Sequence, residues 1–287
     1  MKPLLALTSL LLAHQAVCSA GPAPLASVGY FIPPLAVSKD QPCDSSPERS
    51  SKRPMKQFPH RIQIGGNYTR VNLKPQGSSS FNGNLGGAQG IYEYRPMNRF
   101  YGAAKLAWKE GDTHGASGKR SLLYIDTQER LGYTFGSKQG DWRLTLFSGF
   151  GYRYDGQELK PKHGSSVTFN YNEFYIPVGF LADHAFSSCF HLGINFTWMP
   201  QVFPTVGIQP LKGARWDLTY KLANFFVEMP FTFIFGRSHR WAIIFNPFYE
   251  RWQDGHSFAK TSTGLKLGLP GNTYNFWGAD LNLAYSF

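Results

Sequence analysis

ADLNLAYSF, residues Ala279–Phe287, alternates apolar residues with polar or small ones up to the last position of the chain. Successive side chains of a β-strand point to opposite faces. Tyr285, Leu283, Leu281 and Ala279 therefore share a face with Phe287, and Ser286, Ala284, Asn282 and Asp280 share the other. Chain ends usually fray and seldom carry exposed aromatic residues, so the position of this strand needs a reason. A half-buried strand of a soluble sandwich alternates in the same way, and the rest of the chain must separate the two.

The opposite end does so. MKPLLALTSLLLAHQAVCSA, residues 1–20, has one charge at Lys2, an apolar run over 4–13, and small residues at Cys18 and Ala20. That is the form of a secretory signal cleaved after Ala20. Its run is too short for a spanning helix, which needs about 20 residues. Downstream, no apolar run reaches that length. Aromatic residues make up 16% of the 287, and charged residues also only 16%, against roughly 25% charged in an average soluble domain. In lipid every backbone polar group must be satisfied internally, which leaves helices and closed barrels as the only spanning forms. An exported, aromatic-rich, charge-poor chain without helical spans predicts the barrel.

The last strand resembles the C-terminal signature of bacterial outer-membrane β-barrel proteins, with Leu281, Leu283 and Tyr285 alternating up to a terminal Phe287. The resemblance implies that the strand is also read by the barrel-assembly machinery. It implies an outer-membrane location among lipopolysaccharide, with the N-terminal tail and the C-terminus in the periplasm. It points to a class of fold and to no particular activity.

The chain divides into the signal (1–20), a Pro-rich segment (21–60) and the barrel (61–287). The middle segment carries eight prolines from Pro22 to Pro59 and reads as an extended or disordered periplasmic tail. Beyond it the expected fold is all-β, an up-and-down antiparallel transmembrane barrel of about ten strands, with eight to twelve admitted. The strands are predicted over 61–71, 88–95, 99–109, 120–135, 141–155, 168–182, 189–198, 214–235, 241–252 and 272–287. Short turns and long loops join them alternately, as in outer-membrane barrels. Trp108, Trp142, Tyr154, Trp198, Trp216, Trp241 and Trp252 suit interfacial girdles. Pro177 and Pro230 cannot donate to a ladder and each predicts a bulge. Glu129 has the parity of Leu131, Tyr133 and Phe135, which would turn it to lipid; a bulge near Gln128 is the simplest repair.

The inward parity collects Glu93, Lys105, Asp126, Arg130, Arg143, Arg153, Glu173, Asp217, Lys221, Glu228 and Asp280. They suit either a selective pore or an interior filled with paired charges, because buried charges must find partners. The second reading predicts a narrow, partly plugged lumen, hence a small channel or a structural or surface-interaction protein. The alternative is a hydrolase. Omptin-like proteases use acidic residues with an Asp-x-His pair in outer loops, and Asp112-Thr-His114 and Asp254-Gly-His256 fall in predicted outer loops. The partner Asp-x-Asp motif has no match in the chain.

No zinc spacing, phosphate loop or nucleotide fingerprint stands out, so no cofactor or metal is expected. The net charge of +11 would suit nucleic acid in a cytosolic protein, but export argues against it. Lys109, Lys119, Arg120, Lys160, Lys162, Lys212, Arg215, Arg251 and Lys260 instead stand at lipopolysaccharide phosphate height, unless they are merely solvated loop charge. Cys43 and Cys189 would both be periplasmic, where disulfides persist. Two unpaired thiols are the other possibility.

Overall fold

The computed structural model describes residues 58–137, 141–209, 211, 214–260 and 264–287. The signal, nearly all of the Pro-rich segment, Cys43 and Lys212 lie outside them. Ten antiparallel spans follow one another. The first five are unbroken: β1 (His60–Pro75), β2 (Phe81–Tyr94), β3 (Arg99–Gly115), β4 (Gly118–Gly136) and β5 (Trp142–Pro161). The sixth consists of β6 (Val167–Tyr175) and β7 (Val178–Ala185), and the seventh of β8 (Phe190–Trp198) and β9 (Gln201–Gln209). The eighth comprises β10 (Arg215–Leu218), β11 (Phe225–Glu228) and β12 (Phe231–Phe235). The ninth is β13 (Trp241–Asp254) extended by β14 (Ser257–Lys260), and the tenth is β15 (Asn272–Ser286).

β15 closes the sheet against β1, from Arg61 opposite Ser286 to Pro75 opposite Asn272. Beyond that ladder His60 and Phe287 exchange backbone hydrogen bonds of 3.3 and 2.9 Å. The result is a closed antiparallel barrel of ten spans, as expected. No edge is left between the first and last strands, which answers why the alternation runs to Phe287.

The strands are longer than their apolar alternation. β2 begins at Phe81 in what reads as a loop, β3 and β4 leave only Ala116 and Ser117 between them, and β9 occupies a predicted loop. Asp112 and His114 are thus strand residues. Above the apolar band both faces of a strand meet polar surroundings, so the period-two signal fades while the ladder continues.

Ile64, Phe100, Leu106, Leu131, Phe150, Ile194, Phe245, Leu281 and Leu283 are exposed on the outside, forming the kind of band that lipid covers. Gln63, Asn67, Gln89, Glu93, Glu173, Asp280 and Asn282 are buried on the inside. Several expectations fail. Trp252 and Trp216 are 1% and 6% exposed, so neither belongs to a girdle. Asp217 alternates with buried Trp216 and Leu218 and faces away from them. Neither proline makes a bulge. Tyr175 opposite Gly151 and Val178 opposite Ser148 keep one register across Pro177. Glu228 opposite Phe248 and Phe231 opposite Phe245 do the same across Pro230. A missing N–H interrupts the ladder there without adding a residue. Nor does a bulge rescue Glu129, because β4 runs in unbroken register past Gln128 on both edges.

Candidate functional site

The site is the lumen, built by inward side chains that join both neighbouring strands and strands on opposite sides of the barrel. Its middle tier centres on Arg153 of β5. Its Nη2 donates to Asp126 of β4 at 2.6 Å, it pairs with Glu250 of β13, and its guanidinium lies 4.0 Å from the Trp252 ring centre. Five strands separate β5 from β13 in one direction around the sheet, so the Arg153–Glu250 pair crosses the lumen. Tyr175 Oη donates to Asp126 at 2.6 Å, and Lys109 Nζ is 3.6 Å from Glu250. A charged group taken from water needs such partners, and both carboxylates find them in one arginine.

An outer tier seals the space above. Tyr274 of β15 places its hydroxyl 2.6 Å from Asp254 and 3.0 Å from Asp155 of β5, on the diametrically opposite span. Asn272 Nδ2 donates to Tyr171 Oη at 3.0 Å. Trp252 Nε1 and Gln201 Nε2 each donate to Glu173 at 2.7 Å. At the other end of the lumen, near the chain termini, lies a second ionic cluster, with Arg61–Glu93 at 2.5 Å, Arg95–Asp183 at 2.5 Å and Arg143–Asp183 at 2.9 Å. Glu228 there accepts from Asn195 Nδ2 at 2.7 Å and also from Asn246.

Two cavities of about 40 and 80 Å³ remain, and Lys105 and Arg130 line both. Their walls together hold seven Lys or Arg and six Asp or Glu side chains. That near balance means pairing, not a one-sign field, governs the interior.

Glu93, Lys105, Asp126, Arg130, Arg143, Arg153, Glu173, Glu228 and Asp280, all anticipated from parity, line the lumen or are buried in it. Asp217 does not join them. Reading the sequence missed Glu250 and Asp155, although both lie within predicted strands, Asp254, which the extension of β13 brings inward, and Asp183, which reads as part of a turn. Glu250 shares its parity with Trp252, and assigning that tryptophan to a girdle hid both. Two of the expected outer cations also turn inward: Lys109 meets Glu250, and Arg120 Nη1 donates to Gln157 at 2.8 Å.

The Asp-x-His pairs do not form dyads. Asp254 is buried and bonded to Tyr274, whereas His256 is exposed with Nδ1 3.2 Å from Thr219 Oγ1. Asp112 is on the outer end of β3, where hydrogen bonds from Lys119 and Ser121 hold its carboxyl below the usual carboxylate range. Among the described residues no group of three or more His, Cys, Asp or Glu side chains could hold a metal ion. Cys189 is disulfide-bonded; Cys43, its expected partner, lies outside the described residues.

At the closing seam the Phe287 ring stacks on His60 at 5.2 Å and on Tyr285 at 6.1 Å, while Leu281 and Leu283 stay exposed on the band.

These features define a closed, antiparallel, charge-filled β-barrel. No protein-family model matches the chain, and no curated protein does. Among solved structures it is similar to the outer membrane protease OmpT from Escherichia coli, at 11% identity and a TM-score of 0.52, over 80% of this chain and 98% of that one. The translocator domain of autotransporter NalP from Neisseria meningitidis gives 10% identity and 0.46, over 81% and 90%. The toluene transporter TodX of P. putida gives 9% and 0.34, over 79% and 90%. At such identities the likeness is one of fold.

Proposed function

We propose that this chain is an integral outer-membrane barrel acting as a narrow channel, held shut by side-chain ties between opposite walls. The observation that carries the reading is the Arg153–Glu250 pair crossing the lumen between two cavities' worth of charged lining. Spaces of about 40 and 80 Å³ admit a few waters or a small ion, since about 10–15 Å³ of such space holds one water. Passage of anything larger requires the outer tier to part. Nothing in the Asp112/His114 or Asp254/His256 geometry favours hydrolysis over this reading.

In the same reading Leu281, Leu283, Tyr285 and Phe287 are the strand that the assembly machinery engages. Both ends of the barrel strand series face the periplasm. Lipopolysaccharide surrounds the outer rim, where the exposed Lys160, Lys162 and Arg215 meet its phosphates.

Purified protein in a planar lipid bilayer tests conduction. Small discrete current steps are expected. Silence at every voltage, together with peptide or lipid hydrolysis lost in Asp254→Ala or His256→Ala, would replace the channel with an enzyme.

A further inference from the structure

In the outer tier three acids are buried without a cation of their own. Asp155 and Asp254 are each 1% exposed and Glu173 is fully buried. Among the described residues none of the three has a lysine, arginine or histidine nitrogen within 4.0 Å. Glu93, Asp126, Asp183 and Glu250 each have one. Two cations face the cluster and both are engaged elsewhere: Arg153 of β5 by Asp126 and Glu250, and Arg120 of β4 by Gln157. The other titratable neighbours are Tyr124 of β4, Tyr171 of β6, Glu250 of β13 and Tyr274 of β15, and none of them supplies positive charge. His256, just beyond Asp254, is exposed and turned to Thr219. An ionised carboxylate so placed is far costlier than the same group as an acid.

The hydrogen bonds inside the cluster call for protons. Tyr274 Oη is 2.6 Å from Asp254 Oδ2 and 3.0 Å from Asp155 Oδ2, and it accepts from Gln157 Nε2. A phenol has one hydrogen to donate, so it can serve only one of the two aspartates. The other contact is attractive only when that aspartate is an acid donating to the phenol oxygen. Glu173 and Asp254 also hydrogen-bond each other, which two carboxylates cannot do without a proton between them. The Oδ1 atoms of Asp155 and Asp254 are buried with no partner among the described residues, a position that suits a neutral acid better than an ion. A metal ion would be another way to neutralise the group, but among the described residues no three such side chains converge to hold one.

We infer that the outer tier is a proton-bound lock on the lumen. Shared protons tie Asp155 on β5 to Asp254 on β13 through Tyr274 on β15, and tie Asp254 to Glu173 on β6. When they leave to water, like charges stand between these walls and drive them apart. The parted tier is hydrated, so the open barrel binds fewer protons than the closed one. Closure is therefore favoured as pH falls and lost as pH rises, and each proton released on opening shifts the open-to-closed ratio about tenfold per pH unit. The gating rests on the channel reading above; the bound protons do not.

Wild-type protein in a planar bilayer should pass more current as the pH is raised from about 5 to about 9. The Asp155→Asn/Glu173→Gln/Asp254→Asn variant, whose amides cannot ionise, should stay nearly shut over the same range. Infrared spectra of the full-length protein in vesicles at neutral pH should show a carboxylic-acid carbonyl band that weakens in the triple variant, with a heated-versus-unheated gel shift verifying insertion of both. A barrel that carries this band but is silent at every pH supports the bound protons and counts against the channel reading. Inserted wild type without the band, an equal band in the triple variant, or a conducting wild type whose current ignores pH would overturn the lock.

Discussion

Spans one to five and spans six to nine belong to one barrel but hold together by different means. β4 and β5 pair without interruption from Gly118 opposite Pro161 to Gly136 opposite Arg143. In the eighth span, residues 219–224 form no regular strand, and side-chain amides stand in for the ladder. Gln201 Nε2 donates to Gln253 O at 2.8 Å, and its Oε1 accepts from Lys221 N at 3.0 Å. Asn224 Oδ1 accepts from Gln253 N at 2.9 Å. Buried backbone groups must be paired somewhere, so the interrupted half leans on single side chains where β4 and β5 pair backbone to backbone along their whole length. Arg153 then ties one half to the other.

The largest effect is expected at the seam that joins them. Removing Tyr285 and Phe287 strips the last strand of its stacked ends, and outer-membrane insertion should fall severely while secretion persists. Cell fractionation measures both, and unchanged insertion would contradict the role given to this strand. Next comes Arg153→Ala, which leaves half-buried Asp126 and buried Glu250 without their shared cation. Breaking one side of a buried pair costs about 3–5 kcal/mol, to be read as a lowered urea midpoint in lipid. A loss under about 1 kcal/mol would mean that the pair is solvated.

A smaller effect sharpens the contrast between the halves directly. Gln201→Ala should cost about 1–3 kcal/mol through unpaired buried groups, with faster hydrogen exchange at the Lys221 amide and no change along β4. Uniform exchange in both halves would remove the distinction. Smallest is the outer tip of β3 and β4. Hydrogen bonds from Lys119 and Ser121 lower the Asp112 pKa, so the native state holds its proton less readily than the unfolded chain. That contribution is fully present above the ordinary value near 3.9 and is lost as pH falls through the lowered one. Amide exchange at Ser121 should therefore stay slow down to about pH 4; opening of the tip at pH 5 would contradict the assignment.

Much of this was legible in the alternation. Phe100, Ala104, Leu106 and Trp108 against Lys105 fixes which face of β3 is the lumen, and the same parity found Glu93, Arg153 and Asp280, though not Lys109. Strand lengths were not legible, because Asn82, Asn84, Asp112 and His114 have polar surroundings on the exposed face and carry no apolar signal. Trp252 shows a second limit: tryptophan suits a membrane girdle and a lumen equally, and only its hydrogen bond to Glu173 separates them. Glu129 shows the reverse. The alternation placed it correctly on the outside, and the expected bulge was an attempt to avoid a charge in lipid that the register does not avoid.

In the proposed channel, side chains and not a narrow backbone ring close the lumen. Single-channel conductance of wild type against the Arg153→Ala/Glu250→Ala double substitution tests it most directly. Removing both partners avoids leaving the pair half-made, and a gel shift verifies insertion. The double variant should conduct several-fold more than wild type. Equal conductance in two inserted proteins, or a wild type already open at the level of a wide pore, would contradict it.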